Sequence, residues 1–297
     1  FDGINCMETT IVWILFGGFL GLLLIGAPIT VSLGVSALVA FLYLEENPIK
    51  LVQIAFTSVG SFPLMALPAF ILAGALMEAA GVSRRLVNIA EAMTGPITGG
   101  LGMATVMACI FFGAISGSGP ATTAAVGMLM IPAMIRRNYD KGYASAITAS
   151  SGGLGVVIPP SIPMVIYGVS GNQSIAKLFI AGFIPGLLIA GSLMTVNYYL
   201  CRKKGYTGSG HKWSMSTLGQ AIKEGFWSLM APVVILGGIY TGFFTPTEAA
   251  VVAIFYTLFV GIFIHKELRW NGMAKSLETC TWLTGRVLLI MFTAGAF

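Results

Sequence analysis

Ala114-Ile115-Ser116-Gly117-Ser118-Gly119-Pro120-Ala121-Thr122-Thr123 divides two apolar arms, 99–115 and 120–135. Four helix-poor residues followed by Pro stop one helix and start another. Pro120 suits the first turn of the new helix, where its missing N–H is not needed. Each arm is shorter than the roughly 20 apolar residues of a full membrane span. Arg85 and Arg136 bracket the pair, and basic residues gather on cytoplasmic faces, so both arms enter and leave on one side. They form either two thin spans or a re-entrant hairpin, and the Gly-rich turn favours the hairpin. A polar turn at membrane depth must line a cavity or lie buried in protein. Its hydroxyls and freed carbonyls suit a hard monovalent cation, and the N–H groups opening the second arm suit a carboxylate.

A second break follows at Thr148-Ala149-Ser150-Ser151-Gly152-Gly153-Leu154-Gly155, continuing to Ile158-Pro159-Pro160-Ser161-Ile162-Pro163. No helix runs undisturbed through these prolines, because each removes an intrahelical donor and clashes one turn back. The alternative is a kink made for packing or a small-residue helix contact. Three prolines beside three serines favour a binding site that exposes backbone oxygens and the Ser161 hydroxyl.

The composition supplies the solvent for these breaks. Of 297 residues, 56% are hydrophobic and 9% charged, with mean hydropathy +0.88. Soluble domains carry about a quarter charged residues, and disordered chains are more polar still. A polytopic helical membrane protein is the class that remains, and no alternating pattern suggests a membrane β-barrel. The net charge of +5 rests on too few cations for a phosphate-tracking patch, so nucleic acid is not an expected partner. Four scattered cysteines (Cys6, Cys109, Cys201, Cys280) read as apolar fillers. No signal peptide is visible. The residues ahead of Met7 and the stop at Phe297 inside an apolar run suggest a piece of a longer polypeptide.

Apolar runs place spans at 9–27, 29–44, 63–80, 175–200, 227–244, 246–264 and 276–297. An amphipathic stretch runs from Pro48 to Ser61, and Val82–Met93 reads as an interfacial amphipathic helix. Arg84-Arg85, Arg136-Arg137-Lys141, Arg202-Lys203-Lys204 with Lys212 and Lys223, and Lys266, Arg269 and Lys275 all face the cytoplasm in this arrangement. Only Lys50, Lys177 and Arg286 fall elsewhere. The junctions Gly26-Ala27-Pro28-Ile29-Thr30 and Gly242-Phe243-Phe244-Thr245-Pro246-Thr247-Glu248 then face opposite sides, which is the pattern of inverted-topology repeats. The expected organisation is a linker end at 1–8 and first-repeat scaffold helices with an amphipathic arm at 9–94. Transport elements follow at 95–173, with the hairpin at 99–135 and the broken helix at 143–168. A linking span and cytoplasmic loop occupy 174–225, and a second repeat starts at 226–297.

Glu78 and Lys177 lie near enough to span ends to snorkel. Glu248 fits a helix cap as well as a functional charge, and Arg286 has no partner that sequence can place. His211 and His265 sit in or beside polar loops. No metal-spaced cluster, phosphate loop or nucleophile elbow appears, so an enzyme or a nucleotide-driven pump is not expected, and no cofactor is needed.

Ser116–Gly127, Ala149–Pro163 and Gly242–Ala249 strongly resemble the large membrane subunit of TRAP transporters, the tripartite ATP-independent periplasmic carriers. The likeness covers nearly the whole chain from Met7. It implies an all-α elevator-type carrier of inverted repeats in the bacterial inner membrane, coupled to Na⁺. The carrier takes a carboxylate from a soluble periplasmic substrate-binding protein. Sialic acid is the leading candidate, and a C4-dicarboxylate or another organic acid the next. A small membrane subunit, fused to the large one in some members, braces the scaffold. Carried over by motif, Ser116, Ser118 and Ser161 resemble substrate contacts. Gly117, Ser118, Ser150, Ser151, Gly152 and Gly153 resemble part of a sodium site. The runner-up is a channel or passive pore-forming subunit, and a mere membrane anchor fails to explain two polar breaks at membrane depth.

Overall fold

The computed structural model describes residues 9–95, 97–206, 208 and 214–297, and among them regular structure is helical with no strand. The expected linker end at 1–8, with Cys6, and the residues His211 and Lys212 lie outside the described residues. Five helices are long and apolar enough to cross a membrane, or six if one bent pair forms a single span. This is the expected all-α polytopic class. The chain divides into two compact units, one of residues up to Leu64 with Thr281–Phe297, the other of Met65–Cys280.

In the first unit, helix α1 (Thr9–Leu24) turns at Gly26, whose φ of +90° is open to glycine at no steric cost. Pro28 then leads into α2 (Ile29–Tyr43). Asn47 accepts from the Ile49 N–H and caps α3 (Pro48–Val59), the expected amphipathic arm. Aromatic groups close the unit: Phe16 and Phe19 meet Phe297.

The second unit contains both polar breaks. After α4 (Ala66–Ala79) comes α5 (Val82–Thr94), the amphipathic stretch. It is helical as expected, but its apolar residues Val82, Leu86, Val87, Ile89 and Ala90 are buried. Ile89 lies against Gly225, so protein rather than lipid covers this face. Helix α6 (Gly100–Ser116) and α7 (Gly119–Arg136) form the hairpin. The broken span is α8 (Lys141–Gly152), a short turn Leu154–Val157, and α9 (Ile162–Ser170). Helices α10 (Ile175–Lys204), α11 (Met215–Tyr240) and α12 (Pro246–Phe259) follow, and α13 (Trp270–Ala296) runs into the first unit. Helix α11 begins well before the apolar run at 227, because its first turns are polar and carry no hydropathy signal.

Glu248 resolves as a cap: its N–H donates to Thr245 Oγ1, and its carboxylate accepts from the Thr245 N–H, 2.8 Å away. Such a reciprocal box satisfies two orphan donors at a helix start. In the first unit, Arg286 lies over the Trp282 ring, 3.4 Å from its centroid, a cation–π arrangement.

Two basic clusters that the sequence put on one side are joined directly. Glu267 Oε2 accepts from Arg84 Nη2 at 2.7 Å, and Oε1 from Arg85 Nη2 at 2.8 Å. Partial burial alone would raise the Glu267 carboxyl, but the two guanidiniums outweigh it and hold it below the usual carboxylate range. Because the folded value is the lower one, this stabilisation is full above the ordinary range near pH 4. It is lost as pH falls through the folded value. Glu267→Gln is therefore expected to lose about 1 kcal/mol at pH 7, since the pairs are partly screened by solvent. Thermal unfolding at pH 7 and at successively lower pH checks this: the gap from the parent should close below the carboxylate range. A gap that persists undiminished there would assign the loss to packing instead.

Candidate functional site

The two polar breaks meet in the second unit. Helix α6 ends at Gly117, which takes the left-handed conformation with φ +61°. This aims its carbonyl away from the helix, and that oxygen accepts the Ile162 N–H at 3.1 Å. Ile162 is the first residue of α9, so a helix N-terminus, with its partial positive charge, is fastened onto the hairpin tip. A Cβ on Gly117 would stand 2.8 Å from the Pro160 carbonyl oxygen. Both the conformation and the space there require glycine.

Around the tip, hydroxyls stitch the turn. Ser118 is extended and caps α7, accepting from the Ala121 N–H, while Pro120 occupies the first turn. Thr122 Oγ1 donates to the Ser118 carbonyl at 2.8 Å and lies 2.9 Å from Ser116 Oγ. Thr123 Oγ1 donates to the Gly119 carbonyl at 2.9 Å. Across from them, Ser161 Oγ donates to the Val156 carbonyl. Ser116 and Ser161 are buried, and Ser118 is half-buried.

A seam of glycines lets the backbones approach. A Cβ on Gly113 would come 2.8 Å from the Gly155 Cα, and one on Gly152 would overlap the Thr123 hydroxyl. Small residues at such contacts allow the close van der Waals packing that holds helices together in lipid. The break in the span is a 41° bend between Lys141–Val157 and Ile162–Ser170.

The two neighbouring serines of α8 part company. Ser151 has 0% of its surface exposed, and its Oγ has no hydrogen-bond partner. Ser150 and Gly153 are exposed. A buried hydroxyl without a partner is unfavourable by about 1–3 kcal/mol, and its free lone pairs fit a hard cation, which prefers neutral and anionic oxygen. Among the described residues no group of three or more His, Cys, Asp or Glu side chains is assembled to hold a metal. The structure thus joins Ser116, Gly117, Ser118 and Ser161 at the tip, and sets Gly152 against the second arm at Thr123. Thr122, buried between Ser116 and the Ser118 carbonyl, is a member of the cluster that the sequence reading left out. Its position one turn after Ser118, on the same helix face, was the available signal.

The hairpin base is fastened at its other end. Gly99 N–H donates to the Tyr206 carbonyl at 3.3 Å, and the Asp140 N–H to Tyr206 Oη at 3.0 Å. The buried Asn197 of α10 gives Nδ2–H to the Gly99 carbonyl at 3.0 Å and accepts from Tyr143 Oη. Both feet therefore lie at one end of α10.

Residues 16–297 match the family model described as tripartite ATP-independent periplasmic transporter, DctM component. The isethionate TRAP transporter permease protein DctMQ of Oleidesulfovibrio alaskensis is 47% identical over 285 residues, covering 96% of this chain and 45% of that protein. The C4-dicarboxylate TRAP transporter large permease protein of Rhodobacter capsulatus is 38% identical, covering 96% of this chain and 68% of that one. The sialic acid TRAP transporter permease protein of Haemophilus influenzae is 39% identical, with 97% and 46% covered. The chain thus spans about half to two thirds of the length of these relatives.

Proposed function

The chain belongs to the DctM family of tripartite ATP-independent periplasmic transporters, and on that premise we propose that it forms part of a sodium-coupled carrier of small organic anions. It is a multi-pass membrane transport component rather than an enzyme. The observation that carries the proposal is the hydrogen bond from the Ile162 N–H to the Gly117 carbonyl, which brings two interrupted helices to one polar spot. Interrupted helices at membrane depth are the usual means by which secondary transporters hold substrate and coupling ion.

The relatives are named for isethionate, C4-dicarboxylate and sialic acid. A sulfonate and carboxylates share an oxyanion, so the proposed substrate class is a small organic oxyanion, with sialic acid one member. Its negative charge would meet the start of α7 and the Ser118 hydroxyl, with Ser116 and Ser161 in support. Sodium would sit against Ser151, with backbone oxygens of the Gly117–Ser118 and Ser150–Gly153 segments around it. The proposed cycle is alternating access by movement of the hairpin with the broken span. A small membrane subunit and a soluble periplasmic binding protein are the proposed partners, and the bacterial inner membrane the proposed location.

Uptake by proteoliposomes holding the full-length carrier, with the binding protein added, tests the proposal. Accumulation that saturates and requires an inward sodium gradient is expected. Current without counter-flux, independent of sodium, would assign the protein to the channels.

Ser151 gives a sharper test of the ion. Ser151→Ala removes an unpartnered hydroxyl, so without sodium its melting temperature should equal or exceed the parent's. Sodium should raise the parent's melting temperature by several degrees, since a ligand at about a hundred times its Kd adds roughly 2.7 kcal/mol. The variant should lose most of that rise. An undiminished sodium shift in Ser151→Ala would move the ion away from this residue.

A further inference from the structure

The clasp at the hairpin base assembles a concentration of charge that neither sequence segment contains alone. Arg136, Arg137 and Lys141 belong to the end of α7 and the start of α8, whereas Arg202, Lys203 and Lys204 end α10. Tyr206 brings the two groups together: its ring stacks on Tyr139 at 4.4 Å, and its hydroxyl accepts from the Asp140 N–H. Lys204 Nζ lies 5.8 Å from the Tyr143 ring centroid and 5.9 Å from that of Tyr206. All six cations are exposed. None forms an ion pair among the described residues, whose carboxylate bridges are those of Lys50, Arg84 and Arg85.

The charge balance singles out this place. Six of the sixteen basic residues and one of the eleven acidic ones lie in these two segments, which leaves ten of each in the rest of the chain. The whole net charge of +5 is therefore the surplus of this one patch. Its single acid, Asp140, accepts from the Tyr143 N–H as the cap of α8, and its charge is already counted in that surplus. Two helix C-termini end here, but they contribute only about half an elementary charge each. That is too little to balance the cations.

We propose that this patch is a binding surface for the headgroups of anionic phospholipids. Two features select lipid over a soluble acidic partner. The cations follow directly on an exposed apolar surface of α10, where Leu187, Leu188, Val196 and Tyr199 lie open. Acyl chains can run along that surface while the phosphate meets Arg202, Lys203 and Lys204. Tyr198 and Tyr199, just before the cations on α10, are exposed, and each has one apolar face and one polar tip, the chemistry enriched at headgroup level. Clusters of four to eight Lys and Arg residues next to a spanning helix bind anionic headgroups, with each cation strengthening the attraction about fivefold.

The test uses purified full-length carrier in neutral detergent, where membrane orientation plays no part, with bound lipids counted by native mass spectrometry. Phosphatidylglycerol is expected to bind well above phosphatidylcholine, and less so as salt is raised. Arg202→Gln with Lys203→Gln and Lys204→Gln, or the matching set at 136, 137 and 141, should weaken it by roughly a hundredfold, since three such factors multiply. Lys266→Gln with Arg269→Gln and Lys275→Gln should leave it unchanged. If a triple variant is not recovered folded, Lys204→Gln and Arg137→Gln alone should each weaken binding about fivefold. Equal binding of the two lipids, or parental affinity in the patch variants, would leave the cations a topological role only and overturn the proposal. Glycerol phosphate binding as tightly as phosphatidylglycerol would overturn it in favour of a soluble phosphate. Equally effective competition by polyglutamate would do so in favour of an acidic protein segment.

Discussion

Gly152→Ala is expected to abolish uptake and to lower stability by about 2–3 kcal/mol, the upper end of what overpacking does to a tight contact. The added Cβ would overlap Thr123 Oγ1 and stand 2.8 Å from Thr123 Cβ and 3.2 Å from its Cα. The hydroxyl cannot swing away freely, because it donates to the Gly119 carbonyl within the first turn of α7. Relief has to come from moving the backbone of one arm away from the broken span, which separates the two breaks. Gly153→Ala is the control. Its Cβ would meet only the Ser150 carbonyl oxygen, at 3.3 Å, and its φ of −58° lies in the helical region. At such a position alanine is neutral or mildly stabilising, through the unfolded chain. Melting temperature and uptake, measured on both variants, decide it. A Gly152→Ala protein with parental values of each would show that the seam is looser than its geometry requires.

Ser118 carries the second large effect. The Ser161 hydroxyl donates to the Val156 carbonyl, and those of Ser116 and Thr122 are engaged with each other and with the Ser118 carbonyl. Ser118 Oγ accepts from the Ala121 N–H, and its own proton is not committed in these bonds. Under the proposed function it is the hydroxyl best placed to donate to the oxyanion at the start of α7. Ser118→Ala should reduce uptake ten- to a hundredfold, the loss of about 1.5–3 kcal/mol expected for a hydrogen bond to a charged group. It should also destabilise the protein by about 1 kcal/mol, because the cap disappears. Ser118→Asp separates the two roles. Aspartate caps a helix and favours its positive end, yet it repels an anion. The expected result is a parental melting temperature with uptake lost. Parental uptake in Ser118→Asp would place the anion elsewhere.

The interruptions at Ser116–Pro120 and Gly152–Pro163 were legible because Gly and Pro act on their own backbone, whatever surrounds them. The capping role of Ser118 was not drawn from the sequence, since the same serine could equally have faced a ligand. The early start of α11 was missed because its polar first turns look like a loop to any reading based on apolar runs. Helix α5 shows the converse. Its amphipathic pattern predicted a helix correctly, but the pattern is the same whether lipid or protein covers the apolar face.

The amino-acid sequence by itself determined the solvent, the secondary structure class and the places where helices stop. Low charge, apolar runs, proline geometry and the bracketing arginines are all local properties. Tertiary structure alone decided what the breaks touch. Gly117 and Ile162 are far apart in the chain, and no local preference encodes a bond between them; it arises because the glycine seam lets α6 and α7 lie against the broken span. Tertiary structure also decided that Ser151 turns inward and Ser150 outward. Successive helical residues point about 100° apart, and the phase of α8 is set by its packing against the hairpin, not by the residues themselves. The same holds for the six cations: two ordinary basic segments become one patch only because Tyr206 closes the hairpin base.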